Sequence, residues 1–205
     1  MTLAFAVLGD SIAYGQGASR PTDTVGARLA AELTGSGTPT EVRVFAVPGA
    51  DSRALANQVQ RATTAWTPSV ALIIIGANDV THFVPPQRAA ALLGDAVRAL
   101  RAAGAEVVVA PAPDLSVVPW VPEQMRLVVR AGCQSLRQAQ TRAALAAGAR
   151  VADIGGSSSA GFAADPGLFS ADRFHPSSKG YAVIAAALAP AVHAAAAAAL
   201  ERSAS

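Results

Sequence analysis

Five short runs of apolar, largely β-branched residues set the limits on what this chain can fold into: Leu3–Leu8, Val42–Val47, Val70–Ile75, Glu106–Ala110 and Arg150–Ile154. Each has the length of a strand and lacks the in–out alternation of a half-solvated one, so each is expected to be buried on both faces, as in a parallel sheet. Longer stretches of helical character fall between them, near Thr24–Leu33, Ser52–Thr63, Pro86–Ala103 and Pro122–Ala147. A last helix is expected from about Pro176 into the alanine-rich tail, with Pro176 in the first turn, where its missing N–H costs little. Repeated strand–helix units imply a three-layer α/β/α sandwich with right-handed crossovers. The chain has 205 residues, 52% hydrophobic and 15% charged. That suits one domain over residues 1–205 with a sizeable core and argues against disorder, with Ser203–Ser205 expected to fray.

Composition excludes several classes of function. The net charge is +2, and Lys179 is the only lysine among 16 basic residues. The arginines are scattered, with no basic run interleaved with aromatics, so no nucleic-acid partner is expected. Cys133 is the single cysteine, which rules out an intrachain disulfide. It falls in an expected helix with no charged neighbour suggested, and it reads as a packed thiol. No Cys/His cluster suggests a metal site, and no cofactor is expected. Gly15-Gln16-Gly17 is followed by Arg20 where a dinucleotide fingerprint needs glycine, and no phosphate-cradling G-x-x-x-x-G-K-[ST] occurs. Leu3–Leu8 lacks a preceding basic region and reads as a core strand and not a signal peptide, so a cytoplasmic location is expected. Ala182–Leu200 carries no formal charge and is long enough to span a bilayer, but 12 of its 19 residues are alanine, and Pro190 and His193 interrupt it. A packing helix is expected there, without stable membrane insertion.

Four blocks carry chemistry. Gly9-Asp10-Ser11-Ile12 follows the first strand, Gly49 the second and Gly76-Ala77-Asn78-Asp79 the third, while Asp172-Arg173-Phe174-His175 precedes the last helix. Open parallel sheets bind ligands at their carboxyl edge, so the first three blocks share that edge. Ser11 is either a helix N-cap or a nucleophile awaiting a base. Three histidines compete for the role of base. His193 lies deep in the last helix. His82 follows the third strand, but Asp79 is its only acidic neighbour in sequence. His175 has an aspartate three residues earlier, which can accept from one imidazole nitrogen and leave the other for Ser11. Gly49 reads as a turn glycine that a substrate can approach closely, and Asn78 as either a loop residue or a donor.

Taken together and in this order, the four blocks resemble the SGNH hydrolases, also called the GDSL esterase family, over Leu3 to about Ala187. The second glycine of the alternative G-x-S-x-G elbow is absent. The resemblance implies a flavodoxin-like fold with strand order 2-1-3-4-5 and a catalytic Ser11–His175–Asp172 set. It also implies an oxyanion hole built from the backbone N–H groups of Ser11 and Gly49 and the Asn78 amide.

The expected function is a serine esterase acting on a small-molecule acyl ester, with a short acyl chain or an acetylated sugar as the leading substrates. Acyl transfer to a sugar or glycerol hydroxyl is the variant on the same residues, and a non-catalytic binding module is the rival class. Thr81-His82-Phe83 and Pro119-Trp120-Val121-Pro122 could wall a substrate pocket through His82, Phe83 and Trp120, or be ordinary loop packing.

Overall fold

The computed structural model describes residues 2–152, 154 and 157–204. Five parallel strands form one sheet in the order β2-β1-β3-β4-β5: β1 Leu3–Gly9, β2 Thr40–Val44, β3 Val70–Ile74, β4 Glu106–Ala110 and β5 Arg150–Val151. Eight α-helices accompany them among the described residues: α1 Ser11–Tyr14, α2 Val25–Gly35, α3 Leu55–Ala65, α4 Ala77–Thr81, α5 Pro86–Ala102, α6 Glu123–Ala146, α7 Ser157–Ala164 and α8 Ser178–Ala204.

The strand parities explain why the central runs are uniformly apolar. Phe5, Val7, Leu72, Ile74 and Val108 point into one core, which α2 and α8 close with Val25, Leu29, Leu188 and Val192. Ala6, Leu8, Ile73, Val107 and Val109 point into the other, closed by Leu55 of α3 and by Leu93, Val97 and Leu100 of α5. Both parities of β1, β3 and β4 lie against a helical layer, so neither can be polar. The long apolar helix α8 meets the length and composition of a membrane span. Here it lies on the sheet, with Tyr181, Leu188, Val192 and Ala195 fully buried.

Three sequence expectations need correction. Val42–Val47 was expected to be a buried strand, but β2 is an edge strand over Thr40–Val44, with Glu41, Arg43 and Val44 exposed. Only one side of an edge strand is hydrogen-bonded, here to β1. Arg150–Ile154 contracts to the two-residue β5, whose partner is β4, and Asp153 lies outside the described residues. Pro176 is not in the last helix. It forms an antiparallel bridge with Phe169, and the helix starts two residues later, with the Ser177 Oγ accepting the Gly180 N–H at 3.2 Å as its cap.

Gly180 marks the contact where α8 docks on the Leu168 backbone. A Cβ there would lie 2.2 Å from the Leu168 carbonyl oxygen, and neither backbone can yield easily. Gly180→Ala should therefore lower stability by about 1–3 kcal/mol through overpacking. Gly132→Ala in the middle of α6, where a Cβ meets nothing within 4 Å, should raise stability by about 0.5–1 kcal/mol through helix propensity. Urea denaturation of the two variants beside the parent measures both signs. Equal effects would refute the close-approach argument.

Candidate active site

The carboxyl end of β1 is fixed before any side chain acts. Gly9 adopts φ +133, and a Cβ there would stand 1.8 Å from the Ile74 carbonyl oxygen, so only glycine lets β1 end this close to β3. The buried Gln58 of α3 grips both sides of that peptide. It accepts the Gly9 N–H at 2.7 Å and donates to the Gly9 carbonyl at 2.9 Å. Asp10, not Ser11, then caps α1 by accepting the Ile12 N–H at 2.9 Å. The Ser11 hydroxyl is thereby spared the capping role.

His175 lies 164 residues away in sequence, yet its Nε2 is 3.0 Å from the Ser11 Oγ. The Asp172–His175 loop builds its half of this contact. One carboxylate oxygen of Asp172 accepts from the N–H groups of Phe174 and His175, both at 2.9 Å, and from the Ser170 hydroxyl at 2.8 Å. The other oxygen meets His175 Nδ1 at 2.6 Å. Arg173, between them, takes φ +57, a left-handed conformation that is strained for a non-glycine and that closes this tight turn. Partial burial opposes ionisation of Asp172. The hydrogen bonds from the His175 ring and from the Phe174 and His175 N–H groups win, and they hold the carboxyl well below the usual carboxylate range. An ionised carboxylate only accepts, so Nδ1 carries the imidazole proton and Nε2 is left to accept from Ser11.

Contacts outside the Ser11–His175–Asp172 chain lock the two loops together. The Tyr181 hydroxyl donates to the Gln16 carbonyl at 2.8 Å, and Ser178 donates to Asp23 at 2.9 Å while accepting the Ser19 N–H at 2.9 Å. The start of α8, which follows His175, is thus tied to the segment that follows Ser11.

The Gly49 and Asn78 blocks meet beside Ser11's end of β1. Gly49 adopts φ +79 with open space where a Cβ would point. Neither its N–H nor that of Ser11 has an acceptor among the described residues. The Asn78 Nδ2 donates one proton to the Ala50 carbonyl at 2.9 Å, which orients the amide and leaves its second N–H uncommitted. Asp79 is buried and accepts the Ser52 N–H at 3.1 Å and the Ser52 hydroxyl at 2.9 Å. Ala50 and Ser52 therefore bind Asn78 and Asp79, so the loop after β2 and the start of α4 are held as one unit. Sequence reasoning missed Ser52 and Gln58, since nothing local marks a serine or glutamine whose partner lies 27 or 49 residues away.

His82 requires a correction. Its carboxylate neighbour is Asp51, at 3.4 Å, and not Asp79. Asp51 also bonds Arg53, and chiefly that contact, working against burial, lowers its carboxyl to about 2. His193 pairs with Glu32 at 3.1 Å. Cys133 is buried, with its Sγ accepting the Leu115 N–H at 3.4 Å. Among the described residues no group of three or more His, Cys, Asp or Glu is placed to share a metal ion.

An apolar groove of about 470 Å³ opens beside the histidine, walled by Val80, Phe83, Trp120, Val128, Leu136 and Phe174 among others. Phe83 is 91% exposed and Trp120 57% exposed at its rim. Phe174 joins groove to site, since its ring lies 5.3 Å from that of Trp120 and 4.8 Å, edge to face, from His175. Of the three residues expected to contact substrate, Phe83 and Trp120 line this groove, while His82 stands outside its lining beside Asp51.

The sheet order and three-layer arrangement are those of the SGNH hydrolases, and solved structures agree. An esterase from Pseudoalteromonas superposes with a TM-score of 0.74 at 16% identity, covering 93% of this chain and 96% of that one. An acetyl-xylooligosaccharide esterase from Geobacillus superposes with a TM-score of 0.71 at 18% identity, covering 93% and 94%. The chain belongs to the GDSL-like lipase/acylhydrolase family, whose model matches residues 7–183. A GDSL-like esterase of Mycobacterium tuberculosis is 38% identical over 184 residues, 87% of this chain. This chain spans 58% of that relative's length.

Asp10 gives the site a measurable pH signature. Its burial pushes the carboxyl from the ordinary 3.8 up to about 7, against the pull of the Ile12, Ala77 and Gly76 N–H groups. A folded-state value above the unfolded one means that this group's contribution to stability is fullest below about pH 4 and is lost as pH rises towards 7. Asp10→Asn keeps the shape and the capping oxygen but cannot ionise. Between pH 5 and 8 the parent should lose more Tm than this variant. Parallel Tm curves across that range would show that Asp10 does not carry the pH dependence.

Proposed function

We propose that this protein is a serine esterase that hydrolyses an acyl ester through an acyl-enzyme, with Ser11 as nucleophile, His175 as base and Asp172 as the group that orients it. The observation that carries the reading is the unbroken chain from the Ser11 Oγ to His175 at 3.0 Å and from His175 to Asp172 at 2.6 Å. Ser11 attacks the ester carbonyl while its proton passes to His175 Nε2, and the resulting imidazolium faces the Asp172 carboxylate. As the tetrahedral species collapses, that proton goes to the departing alkoxide. Water then gives a proton to the same nitrogen, its oxygen attacks the acyl carbonyl, and the carboxylic acid leaves with Ser11 restored. The charge that grows on the carbonyl oxygen is met by the N–H groups of Ser11 and Gly49 and the uncommitted N–H of Asn78, donors held in place before reaction.

Two further features refine the reading. The apolar groove supports an ester whose acyl part is a hydrocarbon chain over a sugar acetate, because an acetyl group would leave most of the groove unfilled. The Asp172 side chain is 44% exposed, so water reaches the edge of the site, which favours hydrolysis over transfer to a second alcohol. A binding module would have no need of the Ser11–His175–Asp172 relay. His82, outside the groove lining and paired with Asp51, is given no part in proton transfer.

A panel of p-nitrophenyl esters from acetate to palmitate, run with and without glycerol or sugar acceptors, tests the substrate and the choice of water. Fluorophosphonate should label Ser11 once and abolish turnover, and label found on any other serine would sink the assignment. His175→Ala should lose about 10³-fold or more in kcat, whereas His82→Ala should move KM more than kcat. The opposite pattern would exchange their roles. Asn78→Ala should lower kcat by about 10²–10³ with little change in KM, since the oxyanion exists only after attack. An intact kcat with raised KM would make Asn78 a ground-state contact.

A further inference from the structure

Behind the groove lies a second cavity. It is a small chamber of about 60 Å³ bounded by Ile12, Ile154, Phe162, Phe169 and Ile184. Three residues belong to the walls of both spaces: Leu115, Val118 and Phe174. They do not divide them equally. Leu115 and Val118 are 8% and 3% exposed in a packed cluster with Ala77, Val121 and Cys133, on or beside a short 3-10 turn over Leu115–Val117. Phe174 is only half-buried, stands in the Asp172–His175 loop, and has ring contacts on Trp120 and on the imidazole. Phe174 packs against the edge of the same cluster, but it is the one of the three shared wall residues that is not itself fully buried in it.

We propose that Phe174 is the specificity-determining partition of this site: its ring separates the groove from the chamber beneath Ile12 and so sets the longest saturated acyl chain that the site accepts. The chamber is the natural extension for a hydrocarbon. Its bounding side chains are mostly aliphatic and aromatic, and Ile12 directly follows Ser11, so a chain entering past Phe174 stays close to the reacting carbonyl. Alone, the chamber is too small to hold an acyl chain, and its volume counts only once it is joined to the groove. The inference rests on the esterase reading for its catalytic form. The division of the two spaces is geometric and stands apart from it.

Because Phe174 touches His175, its loss will lower turnover on every substrate, so the informative quantity is a ratio. The experiment compares kcat/KM for p-nitrophenyl esters of increasing acyl length in the parent, Phe174→Ala, Phe174→Leu and the double variant Phe174→Ala/Ser159→Leu. Ser159 is a half-buried residue in the chamber wall, and leucine there refills the space. Phe174→Ala should raise the ratio of palmitate to butyrate ester at least tenfold, the order of discrimination that a single methylene gives in an apolar pocket. The double variant should return the ratio towards the parent's. Phe174→Leu, which retains bulk, should shift it less and serves if the alanine variant does not fold, any upward shift then counting in favour. Parallel profiles in all variants, lower in height but equal in ratio, would overturn the partition. Calorimetric Kd values for butanoate and palmitate in the same proteins read the partition without turnover. If the parent hydrolyses no ester, the esterase reading fails, and a palmitate affinity that rises over butanoate in Phe174→Ala still supports the partition. Unchanged affinities defeat it.

Discussion

Burial of a parallel sheet on both faces is the constraint from which the rest of this molecule follows. Parallel strands need crossovers, the crossovers are helices, and the helices cover both faces of the central strands, so β1, β3 and β4 carry no polar side chain in their middle stretch. Polar chemistry is pushed to the strand ends. The strands all run one way, so their carboxyl ends share one edge of the sheet. Asp10-Ser11, Gly49 and Asn78-Asp79 arrive there from three different strands without any further device. The strictness of this arrangement is visible at Gly9, where β1 and β3 approach so closely that even a methyl group would collide with the Ile74 carbonyl.

Convergence on an edge brings groups within a few residues' reach of one another, and final positioning to hydrogen-bond distance comes from polar contacts between loops. Gln58 holds the peptide before the Ser11 block, Ala50 and Ser52 hold Asn78 and Asp79, and Tyr181 and Ser178 hold the start of α8 against the segment after Ser11. Each such bond is modest by itself, about 1 kcal/mol net, but leaving any of these buried partners unmade costs more than making it gains. The electrostatics divide along the same lines. Asp10 and Asp79 are buried, and both carboxyls are driven upward by desolvation. Asp172, near the surface and served by four donors, is driven down. Only the last is suited to face an imidazolium.

The backbone strain at Arg173 belongs to this picture. A left-handed residue between Asp172 and Phe174 lets one carboxylate oxygen collect two backbone N–H groups and a hydroxyl while the other oxygen remains for the ring. The same turn presents Phe174 beside His175, so the loop that carries this imidazole also supplies a wall of the apolar groove.

Much of this was written locally and therefore legible in the sequence. The apolar runs of β1, β3 and β4 declared buried parallel strands because period and burial are properties of a few consecutive residues. The helices over Val25–Gly35, Pro86–Ala102 and Glu123–Ala146 declared themselves within a residue or two for the same reason. The Asp172–His175 spacing announced a carboxylate within reach of an imidazole. What the sequence left open depended on neighbours far along the chain. Val42–Val47 looks as apolar as a central strand, and only the sheet order makes β2 an edge. Pro176 suits a first helical turn, and only its bridge to Phe169 excludes it. Asp79 is the nearest acid to His82 in sequence, yet Asp51 faces it because the loop after β2 folds across α4. Ser52, Gln58 and the two cavities on either side of Phe174 have no local signature at all. Propensity and periodicity act over one or two turns of chain, so the sequence by itself determined the elements and the reactive groups. Which of those groups touch was decided by packing between segments as much as 165 residues apart, and that exists only in the folded molecule.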